Sequence, residues 1–90
     1  MREIVQSTAF KKDVKRAGKR GKDMAKLRGV ILLLVEDAPL DSRYRDHPLK
    51  GEWLSYRDLH VEPDWVLIYR ATDAELLLAR TGTHSDLIGE

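Results

Sequence analysis

The apolar positions of this 90-residue chain follow a helical period in its first third and a strand period in its second half. Glu3-Ile-Val-Gln6 reads as a short strand, and Ser7 behind it is placed to cap a helix. Phe10, Val14 and Ala17 then recur at helical spacing, while Lys11, Lys12, Lys15, Arg16 and Lys19 occupy the rest of each turn. Gly18 and Gly21 bracket the end of that helix. A second helix starts near Lys22, carries Met24, Leu27, Ile31, Leu34 and Val35 as its apolar stripe, and stops before Pro39. The short link between the two predicts an antiparallel helix hairpin.

Residues 38–52 are punctuated by Pro39, Pro48 and Gly51 and read as a loop, with a short extended piece around Tyr44. Beyond them the period becomes two. Tyr56, Asp58, His60 and Glu62 are expected to share one strand face, with Arg57, Leu59 and Val61 on the other. Pro63-Asp64 is a turn signal. The almost wholly apolar Trp65-Val-Leu-Ile-Tyr69 suits the centre of a sheet. Thr72-Asp73 turns into Glu75–Arg80, Gly82 ends that strand, and His84 falls in a short tail. The predicted layout is α+β, β-α-α-β-β-β: a helix hairpin on one face of a mainly antiparallel four-stranded sheet, in a single domain spanning residues 1–90. The face bearing Tyr56, Asp58 and His60 is too polar for a second core and reads as a working surface.

Composition narrows the chemistry. With no cysteine, disulfides and thiolate metal sites are excluded, which is compatible with a reducing cytoplasm. No secretory h-region is visible in residues 1–10, and the longest apolar run, Val30–Val35, falls far short of the ~20 residues that span a bilayer. A cytoplasmic protein without membrane contact is therefore expected. The net charge of +1 hides an asymmetry: residues 1–30 hold ten Lys or Arg against three Asp or Glu. Basic clustering of this kind attracts phosphates irrespective of sequence, although a solvated helix face looks the same.

All three histidines lie in or beside the run from His47 to Trp65 and its echo Arg80-Thr-Gly-Thr-His84. Cleaving RNA without a metal needs a base to take the 2′-hydroxyl proton and an acid to supply the leaving 5′-oxygen. It also needs a cation for the charge that grows on the phosphoryl oxygens. Imidazole and carboxylate can do the first two, and a planar guanidinium the third. Each residue also has an ordinary reading. His47 before Pro48 could be a solvated turn residue, Asp64 turn chemistry, and Trp53 and Trp65 packing. Arg80 could make a cross-strand ion pair with Asp58 or Glu62, and His60 could pair with Asp58. A metal chelated by Asp58 and His60, completed by His47 or His84, is the weaker chemical alternative, since no HxH or HExxH spacing is present.

His47-Pro-Leu-Lys-Gly-x-Trp53, Tyr56-Arg-Asp-x-His60-Val-Glu-Pro-Asp-Trp65 and Arg80-Thr-Gly-Thr-His84, in this order, resemble the YafQ family of bacterial toxins within the RelE/ParE superfamily. The likeness extends to the basic start, Phe10-Lys-Lys-Asp-Val-Lys, and to Lys22-Asp-Met-x-Lys-Leu. The resemblance implies a RelE-like fold and a ribosome-dependent mRNA endonuclease that needs no metal or cofactor and is neutralised by a cognate antitoxin. It implies catalytic roles for His47, His60, Asp64 and His84, with His84 as general acid and the base left open among the other three. It further implies that Arg80 steadies the phosphate, that Asp58 supports His60, and that Trp65 positions mRNA. Lys11, Lys12, Lys15, Lys19 and Lys26 would meet ribosomal RNA on the 70S ribosome, or an acidic antitoxin segment. One departure is Ile88, where relatives carry a Phe able to contact mRNA; isoleucine offers no π face. Within the superfamily a ParE-like gyrase poison is the alternative, as is an inactive module that binds RNA or antitoxin.

Overall fold

The computed structural model describes the backbone of residues 1–88 and the side chains of residues 1–87. Strand β1 (Glu3–Gln6) leads into helix α1 (Thr8–Lys19), followed by helix α2 (Met24–Val35). The two-residue strand β2 (His47–Pro48) precedes β3 (Arg57–Glu62), β4 (Trp65–Ala71) and β5 (Glu75–Gly82), and a short helix α3 (His84–Ile88) follows. The sheet order is β1-β5-β4-β3-β2, with β1 parallel to β5 and every other pairing antiparallel.

Local chemistry explains the helix ends. Ser7 Oγ accepts the Phe10 N–H at 2.9 Å, and the same hydroxyl donates to the Ala79 carbonyl at 2.7 Å, so the cap of α1 is tied to β5. After α1, Gly21 takes the left-handed conformation (φ 80°) and lets the Lys22 N–H reach the Ala17 carbonyl. Asp23 then caps α2 through the Ala25 N–H, one residue beyond the expected start at Lys22.

The core lies between the helices and one sheet face, where Phe10, Leu27, Val30, Leu59, Leu67, Leu76 and Leu78 are almost fully buried. Each such side chain contributes about 1.5–3 kcal/mol of transfer free energy. β4 is the middle strand of the five, as its apolar run predicts.

Two expectations need correction. The sheet has five strands rather than four: residues 42–44 form a 3-10 turn, and the extended piece lies at His47–Pro48, where pairing to Asp58 and Arg57 draws it onto the edge of β3. Glu62 does not share a face with Asp58 and His60. A bulge between His60 and Glu62 turns its carboxylate to the helix side, where Lys26 and Lys22 hold it at 2.9 and 3.6 Å. On the sheet face opposite the helices, Val66 and Ile68 are fully buried and Ala79 nearly so, beside Asp58 and His60.

Candidate active site

Two features of the sheet assemble the site. The pairings His47–Asp58, Asp58–Ile68 and Ile68–Arg80 form one row across four strands, so these residues share the face away from the helices. In the next row His60 pairs with Val66 and Val66 with Gly82, which delivers His84 just beyond the end of β5. A bulge at Ala79 makes this possible. Tyr69 pairs with Leu78 but Ile68 pairs with Arg80, so β5 holds one extra residue and Arg80 leaves the face used by Leu76 and Leu78.

The three imidazoles converge on one buried carboxylate. Asp58 is 1% exposed, and its Oδ2 lies 3.6 Å from His84 Nε2 and 3.9 Å from His47 Nε2. Both distances lie beyond hydrogen-bond range. Asp58 Oδ1 has no hydrogen-bond partner among the described residues. The His60 ring sits 5.2 Å from that of His84 and 6.5 Å from that of His47. His47 Nδ1 faces the Arg45 carbonyl at 2.7 Å, and His60 Nδ1 faces the Pro63 carbonyl at 3.2 Å. A carbonyl accepts only, so each Nδ1 carries a proton and each Nε2 is left free to exchange one.

His84 is placed by a device that strand reasoning misses. It begins α3 instead of lying in a tail, and the cap before it is reciprocal. Thr83 Oγ1 accepts the Asp86 N–H at 3.1 Å, and Asp86 Oδ2 accepts the Thr83 N–H at 3.2 Å. Asp86 also receives Arg20 Nη1 at 2.8 Å, which anchors α3 to the end of α1. The signal was Thr83-x-x-Asp86. The Arg20 guanidinium, then the Thr83 N–H, holds the Asp86 carboxyl down at about 2, against 3.8 for a free side chain. A depressed carboxyl adds stability that is complete above the unfolded value and lost as pH falls toward the folded one. Asp86→Ala should therefore be less stable than the wild type at pH 6, with the gap closing between pH 4 and pH 2. Urea unfolding at several pH values checks this; a gap that persists at pH 2 refutes it.

Asp46 is a second residue absent from the sequence reading. Its carboxylate accepts Tyr69 Oη at 2.5 Å and Arg57 Nε at 3.1 Å, which pins the chain immediately before His47. Burial, and then the bond to Asp46, pushes the Tyr69 hydroxyl well above its usual range.

Arg80 pairs with neither Asp58 nor Glu62. Its Nε and Nη2 donate to Asp13 at 2.7 and 3.1 Å, and Asp13 also accepts the Thr81 N–H at 3.1 Å and Arg16 Nη2 at 3.0 Å. Asp13 therefore closes the edge of β5 beyond the last β1 pairing, at Leu78. A lone acid spaced with Phe10 and Ala17 was its trace in the sequence. Trp65 is also corrected. It is 1% exposed and belongs to the core, and its indole N–H donates to Thr81 Oγ1 at 2.9 Å, so it is closed to a base. Asp64 is exposed in the β3–β4 turn, outside the set of Asp58, His60 and His84. Lys11, Lys12, Lys15 and Lys19 are exposed on α1, and Lys26 on α2. The Ile88 side chain lies outside the described residues.

The model of the family described as a bacterial toxin of a type II toxin–antitoxin system, YafQ, matches residues 2–89. The chain belongs to the YafQ family. The mRNA interferase toxin YafQ of Escherichia coli K12 is 54% identical over 89 residues, which cover 98% of this chain and 97% of that one. YafQ in an E. coli DinJ–YafQ complex superposes with a TM-score of 0.92 at 53% identity, covering 99% of this chain and 100% of that chain. A metal-bound toxin from Helicobacter pylori gives 0.90 at 39% identity, covering 97% and 99%. On the YafQ fold shared by these proteins, Asp58, His60 and His84 offer ligand atoms within 4.8 Å of one another, a donor set suited to a transition ion. No described helix of this YafQ-family chain is long and apolar enough to cross a membrane.

Proposed function

We propose that the chain is the toxin of a type II toxin–antitoxin pair, an endoribonuclease that cuts translated mRNA in the ribosomal A site and is held inactive by a cognate antitoxin. The observation that carries this reading is the convergence of His47, His60 and His84 around buried Asp58. A gyrase poison has no use for a proton-transfer set, and the E. coli relative is an mRNA interferase.

In this mechanism the 2′-oxygen loses its proton to a base and attacks the adjacent phosphorus. The P–O5′ bond breaks, leaving a 2′,3′-cyclic phosphate, and the 5′-oxygen takes a proton from His84. The free Nε2 atoms of His47 and His60 both suit the base, and Asp64 serves only if the turn brings it to the substrate. An Asp58 carboxylate between the rings would stabilise positive charge on whichever imidazole holds a second proton. Arg80 keeps Nη1 for the phosphate while Asp13 fixes the rest of its fork. The exposed lysines of α1 meet ribosomal RNA, with Lys26 adding to this basic surface. Primer-extension mapping of mRNA ends in a translating extract tests the reading. Breaks should appear at A-site codons, and should vanish when ribosomes are removed or His84 is replaced by alanine. Intact mRNA beside stalled gyrase–DNA complexes would instead identify a ParE-like poison.

A transition ion on Asp58, His60 and His84 would occupy the lone pairs that proton transfer uses. Added Cu2+ should therefore suppress cleavage at least tenfold (order of magnitude, one general acid lost), and a chelator should restore it. Undiminished cutting with the ion demonstrably bound would exclude these three residues as both ion ligands and proton carriers.

A further inference from the structure

A groove of about 610 Å3 opens beside the histidine cluster, inside the roughly 300–1,000 Å3 range of small-ligand sites. Lys26, Arg43, Tyr44, Arg45, His60 and Glu62 are among its lining residues. Its origin is topological. β2 pairs only with Arg57 and Asp58, so from His60 onward β3 has no strand on that side. Arg45 adopts the left-handed conformation (φ 49°) as the chain leaves the 3-10 turn and enters β2.

The chemistry of the lining is selective. Glu62 is neutralised by Lys26 and Lys22, while Arg43 and Arg45 are exposed; the Asp41 carboxylate lies near Arg43 but accepts from its backbone N–H, leaving the guanidinium without an ion pair among the described residues. The Arg43 guanidinium lies 4.9 Å from the Tyr44 ring centroid and donates to the Tyr44 hydroxyl at 3.0 Å. A flat guanidinium held against a phenol ring is a platform for a nucleobase, and an unpaired arginine fork suits a phosphate. The groove joins the cluster at two points. His60 belongs to both, and the Arg45 carbonyl holds His47 Nδ1 at 2.7 Å.

We propose that this groove is a second RNA subsite, which takes the nucleotide flanking the cleaved bond, with its base on Arg43 and Tyr44 and its phosphate on Arg45. It rests on the reading that the histidine cluster cuts RNA. A strand crossing the cluster and leaving past His60 runs directly into the groove. Occupancy there also steadies the Arg45 carbonyl and so the ring of His47. An acidic peptide would find the same cations but has no use for the aromatic platform.

Two measurements on the full chain test this. In the first, a 2′-O-methyl RNA hexanucleotide, which cannot be cleaved, is titrated into the protein and followed by NMR. Amide shifts are expected at residues 43–45 and 60–62, and these should be lost in Arg43→Glu while any shifts along α1 remain. Shifts confined to α1, or groove shifts produced by a decaglutamate peptide and not by RNA, would overturn the subsite. In the second, cleavage is measured on programmed ribosomes. Arg43→Glu should raise KM about tenfold or more, as expected for one lost stacking and charge contact. Tyr44→Ala should raise KM in the same direction; Tyr44 also packs against the core, whereas Arg43 is exposed, so the Arg43 variant separates binding from folding. Wild-type KM in Arg43→Glu removes the subsite and leaves the nuclease reading standing. A wild-type protein that cuts no RNA, yet fills the groove with the hexanucleotide, removes the nuclease reading alone.

Discussion

Replacing His84 by alanine should lower mRNA cleavage by about 10²–10⁴-fold, the usual worth of a positioned general acid. His84 is partly exposed at the start of α3, where it fills no core space, so the folded state should survive the substitution. The loss is chemical. The 5′-oxygen leaves as an alkoxide unless a proton arrives during P–O bond breakage, and His84 Nε2, beside the Asp58 carboxylate, is the group proposed to supply it. His84→Gln keeps a polar group of similar reach but cannot shuttle a proton, so it should be nearly as slow as His84→Ala. The check is single-turnover cleavage on programmed ribosomes, with ribosome binding measured in parallel. Binding at wild-type strength with slow cleavage supports the acid role. Cleavage within tenfold of wild type in a folded His84→Ala protein would remove His84 from the chemistry.

Asp13→Ala should be among the most destabilising single changes in the basic first third, costing about 3–5 kcal/mol, as when one partner of a buried ion pair is deleted. The carboxylate is 3% exposed and accepts from Arg80, Arg16 and the Thr81 N–H. Its loss strands a guanidinium and a buried backbone donor together, which a deleted surface pair would not do. For a domain of this size each kcal/mol moves Tm by roughly 4–8 °C, so a drop of more than about 10 °C is expected. Urea unfolding gives the free energy directly. A loss below about 1 kcal/mol would mean that water replaces Asp13 along the β5 edge, and the argument for a closed edge would fall. Cleavage should fall as well, below the melting range, because the Arg80 fork is no longer held.

Much of the scaffold was legible because its signals are local. The Phe10, Val14 and Ala17 stripe, the Ser7 cap, the Gly21 stop and the apolar β4 each need only a few neighbours to act, and each appears where the pattern puts it. The His and Asp set was legible as chemistry, and the roles proposed for it come from the family likeness. What could not be read was which side each strand residue faces after a bulge. Period two continued through Leu76 and Leu78 would send Arg80 into the core, and continued through Asp58 and His60 it would put Glu62 in the site. Both are reversed by one extra residue, at Ala79 and at Val61. Trp65 failed for a related reason, since an aromatic beside a turn and next to candidate site residues looks the same in sequence whether its ring turns inward or outward.

By itself, then, the sequence determined the two helices, the main strands, the basic first third and the inventory of proton-carrying groups, because propensity, capping and hydrophobic period operate over a few residues. Only the tertiary structure decided that His47, His60 and His84 meet over Asp58, that Arg80 is held by Asp13, and that Asp86 anchors α3 to Arg20. These contacts join residues far apart in the chain, and a bulge or a two-residue edge strand is stable only against the partner strand that accepts it. The position of a charge across the sheet is set by cross-strand register, which no local pattern encodes.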